Sequence, residues 1–225
     1  MSELFDTSDP SALLEGMRRA RAAIATGKLI VLPTDTVYGV GANAFSAPAV
    51  AGLLSAKGRG RQSPPPVLIP NALTLPGLAT DVPSVTQALT DAFWPGGLTI
   101  ILDAQPSLTW DLGDANGTVA LRVPNHPIAL ELLAETGPLA VSSANRTGEP
   151  AALTAALAQE QLGDSVSVYL EAGPPPIGEA STILDLTPLS RATGLARILR
   201  PGAVTATQLR SVLGAQLEPD TDPVA

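Results

Sequence analysis

The sequence predicts an α/β fold, in which helices flank a twisted sheet of mixed strand direction within a single domain. Segments with the helical spacing of apolar residues alternate along the chain with short apolar runs typical of buried strands. Some of these runs are close together in sequence, so antiparallel pairs are expected beside parallel ones. The 225 residues show no internal repeat or linker, and 45% of them are hydrophobic, which is enough to fill one core.

The first helix is predicted from about Pro10 to Thr26. Asp9 is suited to cap its N-terminus, Pro10 to occupy the first helical position and Gly27 to end it. Between these signals, apolar residues recur at helical spacing at Leu13, Leu14, Met17, Ala20 and Ile24.

The remaining elements follow from the same criteria. Further helices are predicted at 47–56, 127–135, 152–162 and 205–213, the last with Thr205 as its cap. Strands are predicted at the short apolar runs 29–32, 67–69, 98–102, 119–123, 139–141, 166–170, 182–186 and 196–199. From Gly214 the chain is polar and acidic, so we expect a domain over 10–213 and a disordered tail over 214–225.

The composition excludes several classes of chemistry. The chain has no cysteine, which rules out disulfides, zinc–thiolate sites and thiol nucleophiles, and its single histidine, His126, rules out a multi-histidine metal centre. No apolar run is long enough to span a membrane and no signal peptide is visible, so a cytoplasmic protein is expected. The net charge of −8, from 13 Lys and Arg against 21 Asp and Glu, argues against strong binding of nucleic acid.

Three of the 13 cations fall within residues 57–61, in the sequence KGRGR. The glycines favour a loop, and in an extended segment Lys57 and Arg59 would project to the same side and reach one polyanion. Lysine supplies a point charge and arginine a two-pronged donor, a combination suited to a triphosphate. A solvated surface loop explains this cluster equally well.

Two predicted strands are followed by polar groups. The sequence PTDT at 33–36 could orient a small polar ligand, although Thr and Asp are more often caps or turn residues. The sequence SSANRTG at 142–148 could hold phosphate or amino-acid groups. A serine nucleophile there would need a base and an oxyanion hole that the sequence does not indicate, so a plain turn is favoured. The glycines of GVGANA at 39–44 imitate a dinucleotide-binding fingerprint, but they do not immediately follow a predicted strand.

Two arginines lie in or just after apolar runs, where an unpaired cation would be costly. Arg122 ends the run at 119–123, and Arg200 follows the run at 196–199. Each either pairs with a structural carboxylate, which is slightly favoured, or meets an anionic ligand. His126 lies beside a predicted helix start, which favours a surface or capping role over a catalytic one.

In this order, the segments resemble the YrdC/TsaC family over essentially the whole chain from the first helix to about residue 213. The motifs that carry the resemblance are LIVLPTDTVYGVGANAF at 29–45, AKGRG at 56–60, FWPGGLTIIL at 93–102, TVALRVPNHPIA at 118–129, VSSANRTGEP at 141–150, STILDL at 181–186 and ILRPGAV at 198–204. Gly60 stands where the family often has proline, and Leu68 stands where it often has histidine.

The resemblance implies an open, twisted α/β sheet with a concave, positively lined face. It also implies L-threonylcarbamoyladenylate synthase activity, in which ATP, L-threonine and bicarbonate give threonylcarbamoyl-AMP and pyrophosphate for the modification of tRNA. Mg²⁺ would arrive with ATP and have few or no protein ligands. The product would pass to a tRNA threonylcarbamoyltransferase complex, with weak or absent direct binding of tRNA. In length, the chain resembles the short, single-domain members.

Individual roles are carried over by motif. Lys57 and Arg59 would face the ATP phosphates and stabilise the departing pyrophosphate. The other residues expected on the nucleotide side are Thr118, Ser143, Asn145 and Arg200. Those expected near threonine are Thr36, Ser181 and Arg122, the last a candidate for its carboxylate.

The alternatives to this function are a non-enzymatic RNA-binding module and a different small-molecule enzyme on a similar sheet, such as a sugar-phosphate synthase.

Overall fold

A computed structural model describes residues 2–219, and within this range eleven strands form one mixed sheet. The strands are β1 (Glu3–Asp6), β2 (Ile30–Leu32), β3 (Gly39–Asn43), β4 (Val67–Leu68), β5 (Ala79–Thr80), β6 (Leu98–Ala104), β7 (Thr118–Arg122), β8 (Leu139–Ser143), β9 (Val168–Glu171), β10 (Thr182–Asp185) and β11 (Arg197–Arg200). Their order across the sheet is β1-β9-β2-β3-β8-β4-β7-β6-β10-β11, and β5 pairs with β6.

Seven α-helices within the same range pack against this sheet or at its ends. They are α1 (Pro10–Ala25), α2 (Ala47–Ala56), α3 (Val85–Phe93), α4 (Pro127–Thr136), α5 (Ala155–Leu162), α6 (Thr187–Ser190) and α7 (Ala206–Leu213). The predicted cap of α1 is confirmed, because the Asp9 carboxylate accepts hydrogen bonds from the first backbone N–H groups of the helix. The cap of α7 is also confirmed, and Thr205 forms a reciprocal capping box with Gln208.

The predicted mixture of strand directions is confirmed. Strand β2 pairs with β3 antiparallel and with β9 parallel, and β6 pairs with β7 antiparallel and with β10 parallel. The α/β fold with a single twisted, mixed sheet is therefore as the sequence predicts. Because β2 and β3 are joined by the short segment 33–38, the polar PTDT sequence lies in the turn of an antiparallel pair.

Strand β3 was not predicted, because its glycines were considered only as a possible dinucleotide-binding fingerprint. They serve close packing instead: a Cβ atom at Gly39 would come within 2.6 Å of Val141 Cγ1, and one at Gly41 within 3.3 Å of Leu32 Cδ2. Strand β1 and helix α3 were also missed by the sequence analysis. Strand β1 lies at the sheet edge and is mostly exposed, so it lacks the apolar alternation by which strands are recognised.

The period of two along each strand separates the apolar core from the face that carries the site. In β6, Leu98, Ile100 and Leu102 are fully buried in a cluster that also contains the apolar face of α7. The intervening residues Thr99 and Ile101 point to the opposite face, where they line a cleft. Two further apolar clusters, one under α1 and α4 and one under α2 and α5, pack the other half of the sheet.

The tail was predicted to start at Gly214, but the residues directly after α7 are folded. Residues Gly214–Gln216 form a turn of 3-10 helix, and Leu217 is buried in the cluster that contains α7. Ala196 and Leu217 form a β-bridge, so the chain stays folded beyond the predicted boundary at 213. The reason is the apolar side chain of Leu217 inside an otherwise polar segment, which the analysis of composition overlooked. Residues 220–225 of the predicted tail lie outside the described residues.

We expect Leu217→Ala to lower the free energy of unfolding by about 2–4 kcal/mol, because it removes a buried side chain and leaves a cavity. Urea denaturation followed by circular dichroism would measure this loss. The neighbouring exposed change Gln216→Ala is the matched control and should leave the midpoint almost unchanged. Equal midpoints for the two variants would show that the segment after α7 does not contribute to the core.

Candidate functional site

A cleft of about 230 Å³ lies on the face of the sheet opposite α7, over strands β6, β7, β8 and β10. Residues 64–66, the three consecutive prolines, form part of its wall together with Leu68 and Leu112. Its polar lining consists of hydroxyl and guanidinium groups from Thr34, Thr36, Arg59, Thr99, Thr118, Arg122, Ser142, Ser143, Ser181 and Arg200. The cleft therefore combines apolar walls with convergent donors, as small-molecule sites do.

Two of the arginines in the cleft, Arg59 and Arg200, form no ion pair with any carboxylate among residues 2–219. Arg59 donates to the hydroxyls of Thr147 (3.1 Å) and Ser142 (3.3 Å). Arg200 donates from Nε and Nη2 to the carbonyl oxygen of Ser181. Burial, followed by the positive charge of Arg59, lowers the pKa of Arg200. Two uncompensated cations in one cleft make a site for an anion.

The third arginine, Arg122, is buried and paired. Its Nη2 donates to Asp35 Oδ1 at 2.6 Å, and its Nε donates to the carbonyl oxygen of Gly96 at 2.9 Å. Burial lowers the pKa of Arg122, and the charge of Asp35 opposes that shift. Of the two roles that the sequence left open, pairing with a structural carboxylate is confirmed. Arg122 nevertheless lines the cleft as well.

The hydroxyl groups of the cleft are connected to one another. Thr99 Oγ1 and Ser181 Oγ are 2.8 Å apart, and Ser181 Oγ also accepts from Arg200 at 3.1 Å. Thr36 Oγ1 lies 3.1 Å from Thr34 Oγ1, which donates to the carbonyl oxygen of Val37. Thr99 was missed as a residue of the cleft, and Thr34 was indicated only as part of the PTDT segment. The period of two along β6 was the available signal for Thr99.

Lys57 lies beneath the cleft and does not line it. Its Nζ donates to the carbonyl oxygens of Ser143 and Asn145, and the side chain is only 1% exposed. The sequence suggested that Lys57 and Arg59 project to the same side. Instead, Lys57 is the C-terminal cap of α2, and the chain turns at Gly58 (φ +66°), so the two side chains diverge. Direct contact between Lys57 and a phosphate stays a prediction.

Asn145 is also buried below the cleft and absent from its lining. Its Nδ2 donates to the carbonyl oxygens of Arg146 (2.9 Å) and Glu149 (2.7 Å), which closes the loop after β8. The other predicted site residues are all in the cleft: Thr36, Arg59, Thr118, Arg122, Ser143, Ser181 and Arg200. The structure thus brings the predicted nucleotide and threonine groups together, with Lys57 and Asn145 as supports.

His126 is the residue that precedes α4, as expected for a cap, but its side chain makes no capping hydrogen bond. Its Nδ1 is buried and has no partner among the described residues, and burial lowers the pKa of the imidazole. Arg61, the third cation of the KGRGR segment, does not line the cleft. It forms exposed ion pairs with Asp111 and Asp114, which hold the 111–117 loop.

No helix within residues 2–219 has the length and apolar character that a membrane span requires.

A family model for Sua5/YciO/YrdC proteins, described as telomere recombination, matches residues 22–202. A Mycobacterium tuberculosis protein provisionally named threonylcarbamoyl-AMP synthase is 51% identical over 214 residues, which are 95% of this chain and 96% of that protein.

Two longer proteins are similar at lower identity. Threonylcarbamoyl-AMP synthase of Bacillus subtilis is 35% identical over 216 residues, covering 95% of this chain and 60% of that protein. The crystal structure of Pyrococcus abyssi Sua5 complexed with L-threonine superposes with a TM-score of 0.83 and 34% identity. The match covers 90% of this chain and 59% of the archaeal one, so the chain spans about three fifths of both longer proteins.

The buried position of Lys57 predicts a pH dependence of stability. Burial, and then the charge of Arg59, lower the pKa of Lys57 from 10.5 to about 8. Between these two values the unfolded chain binds more protons than the folded one, so this lysine makes unfolding harder as the pH rises from about 8 to about 10.5. We expect the unfolding free energy of the wild type, minus that of Lys57→Met, to increase as the pH rises over that range.

Urea denaturation at several pH values would measure this difference, and Lys28→Met supplies the control at an exposed lysine. A difference that is constant with pH, or that shrinks, would contradict the lowered pKa of Lys57.

Proposed function

The chain belongs to the Sua5/YciO/YrdC family, and from that premise we propose that it is an L-threonylcarbamoyladenylate synthase that serves tRNA modification. It would convert ATP, L-threonine and bicarbonate to threonylcarbamoyl-AMP and pyrophosphate. The observation that carries the proposal is the charge arrangement in the cleft. Arg59 and Arg200 have no carboxylate partner there, whereas the neighbouring Arg122 is already paired. This arrangement suits a polyphosphate beside a singly charged amino acid.

The reaction requires alignment more than chemical participation by the protein. The threonine amine combines with bicarbonate to give N-carboxythreonine and water. A carboxylate oxygen of that intermediate then attacks the α-phosphorus of ATP, and the bond to pyrophosphate breaks. Neither step needs an enzyme nucleophile or a redox group, but both need anionic partners brought together and their charge neutralised.

The roles of individual residues follow from their positions. Arg59 and Arg200 bind the phosphates and stabilise the departing pyrophosphate, while Thr118 and Ser143 contact the nucleotide. Lys57 and Asn145 support this side from below, through their hydrogen bonds at the end of β8. Arg122 binds the carboxylate of threonine.

Thr36 and Ser181 face the same subsite as Arg122 and hydrogen-bond the polar groups of the amino acid. The archaeal relative whose structure contains L-threonine supports an amino-acid subsite in this fold.

Mg²⁺ would enter with ATP, coordinated mainly by phosphate oxygens, as is usual for nucleotide-bound Mg²⁺. No group of three or more His, Cys, Asp and Glu side chains within residues 2–219 is arranged to hold a metal ion. The carboxylate of Asp35, close to the cleft, is already engaged by Arg122. The metal would neutralise phosphate charge, and the arginines would position the phosphates.

We place the reaction in the cytoplasm, with the product passed to a tRNA threonylcarbamoyltransferase complex. The net charge of −8 favours transfer between proteins over tight binding of tRNA by this chain. The same charge disfavours the alternative of a non-enzymatic RNA-binding module.

Pyrophosphate release tests the proposed function. With ATP and Mg²⁺ present, release should require both L-threonine and bicarbonate, because N-carboxythreonine is the attacking group. A coupled pyrophosphate assay, with each co-substrate withheld in turn, measures the requirement. Release that is indifferent to threonine would contradict the proposal.

Arg59→Ala should lower the turnover number, because it removes a preorganised cation from the departing pyrophosphate. We expect the loss of transition-state stabilisation to be roughly 2–4 kcal/mol. The matched control is Arg18→Ala, an exposed arginine of α1 that pairs with Glu15 and does not line the cleft. The same assay at saturating substrates compares the two variants. Similar turnover in both would remove Arg59 from the proposed role.

A further inference from the structure

The carboxylate of Asp35 has no role in the scheme above. Its side chain is only 3% exposed and does not line the cleft, although both of its neighbours in sequence do. Oδ1 accepts hydrogen bonds from Arg122 Nη2 (2.6 Å) and from the backbone N–H of Asn125 (2.9 Å). Oδ2 is buried and has no partner among the described residues. A buried carboxylate held on one side only is expensive, so its presence needs an explanation.

The hydrogen bonds of Arg122 indicate what Asp35 does. Nε of the guanidinium donates to the Gly96 carbonyl oxygen and Nη2 donates to Asp35. Nη1 forms no hydrogen bond with any described residue. These two hydrogen bonds therefore fix the plane of the guanidinium. The N–H groups of Nη1 are left for a ligand in the cleft that Arg122 lines.

Asp35 also changes the charge that the ligand meets. Arg122 and Asp35 together are neutral, whereas Arg59 and Arg200 have no carboxylate partner among residues 2–219. A phosphate group is drawn to the uncompensated pair, since it carries more charge than a carboxylate. A carboxylate can still take one charge-assisted hydrogen bond from the fixed Nη1 of Arg122. A phosphate and a carboxylate are therefore directed to different arginines, according to whether the arginine already has a carboxylate partner.

We propose that Asp35 is a positioning and specificity residue, which holds Arg122 for the carboxylate of the amino-acid substrate and keeps phosphate groups out of that subsite. This inference rests on the proposed function, because it takes threonine as the ligand of Arg122. Asp35 also ties the β2–β3 turn to its surroundings, since its carbonyl oxygen accepts from the Ile177 N–H at 3.0 Å. Its test must therefore separate positioning from folding.

The test is calorimetric titration of L-threonine into the full chain, with and without inorganic pyrophosphate. In the wild type, threonine should bind and pyrophosphate should not compete with it. Asp35→Asn keeps the shape of the side chain and removes its charge. The variant should bind threonine roughly ten- to hundredfold more weakly, and pyrophosphate should now compete, because Arg122 becomes an uncompensated cation.

Asp185→Asn is the matched control, since Asp185 is another buried carboxylate that accepts from an arginine, Arg197, outside the cleft lining. It should retain the affinity for threonine and the lack of competition. If Asp35→Asn does not fold, Asp35→Glu takes its place. This variant keeps the charge but displaces the guanidinium, so threonine binding should weaken without competition by pyrophosphate.

Coupling through Arg122 is tested by the double variant. In an Arg122→Gln background, Asp35→Asn should have no further effect on the affinity for threonine. An equal effect in both backgrounds, or an Asp35→Asn variant that binds threonine like the wild type, would overturn the inference. Threonine-dependent pyrophosphate release by the wild type would then leave the proposed function intact. A wild type that binds no threonine would overturn both.

Discussion

The buried ion pair between Asp35 and Arg122 connects several separate segments of the chain around the site. It joins the β2–β3 turn to the end of β7, and the same two residues form hydrogen bonds with Gly96 before β6, Asn125 before α4 and Ile177 between β9 and β10. Removing one partner of such a pair typically costs about 3–5 kcal/mol, because the other charge is left uncompensated. The geometry of the cleft therefore depends on a pair that lies at its edge.

The distribution of charge explains how an acidic protein can act on anionic substrates. Most arginines are neutralised by a neighbouring carboxylate on the surface, as Arg61 is by Asp111 and Asp114. Among the described residues, Arg59, Arg146 and Arg200 form no ion pair with a carboxylate, and of these Arg59 and Arg200 line the cleft. The excess of Asp and Glu elsewhere gives a net charge of −8 but does not reach these two groups. Local pairing, and not overall charge, therefore determines which cations are left available to an anion.

Elements with strong local signals could be predicted from the sequence, and features set by register or by a single backbone angle could not. The caps at Asp9 and Thr205 identified α1 and α7, because capping depends only on neighbouring residues. The position of the cleft depends on the pairing of β6 with β7 and β10, and apolar runs in the sequence do not specify which strands pair. The divergence of the Lys57 and Arg59 side chains depends on the left-handed turn at Gly58, and sequence spacing alone cannot distinguish that turn from an extended loop.

Arg122 and Arg200 were recognised as unusual because a cation in an apolar run is costly wherever the chain folds. Their individual states were not predictable: Arg122 is paired and Arg200 is not, although their sequence surroundings are alike. That difference arises from contacts with residues distant in the chain, such as the contact between Asp35 and Arg122, which are separated by 87 positions in sequence.

The polar groups of the cleft are already bonded to one another, as in the contacts of Thr99 with Ser181 and of Arg59 with Ser142. A substrate that enters must exchange these bonds one for one, so each new contact adds only a modest net free energy, about 0.5–1.5 kcal/mol for an ordinary hydrogen bond. The same exchange in reverse eases departure, since the wall closes its own hydrogen bonds as the molecule leaves. A surface built in this way favours rapid exchange of its ligand over tight retention.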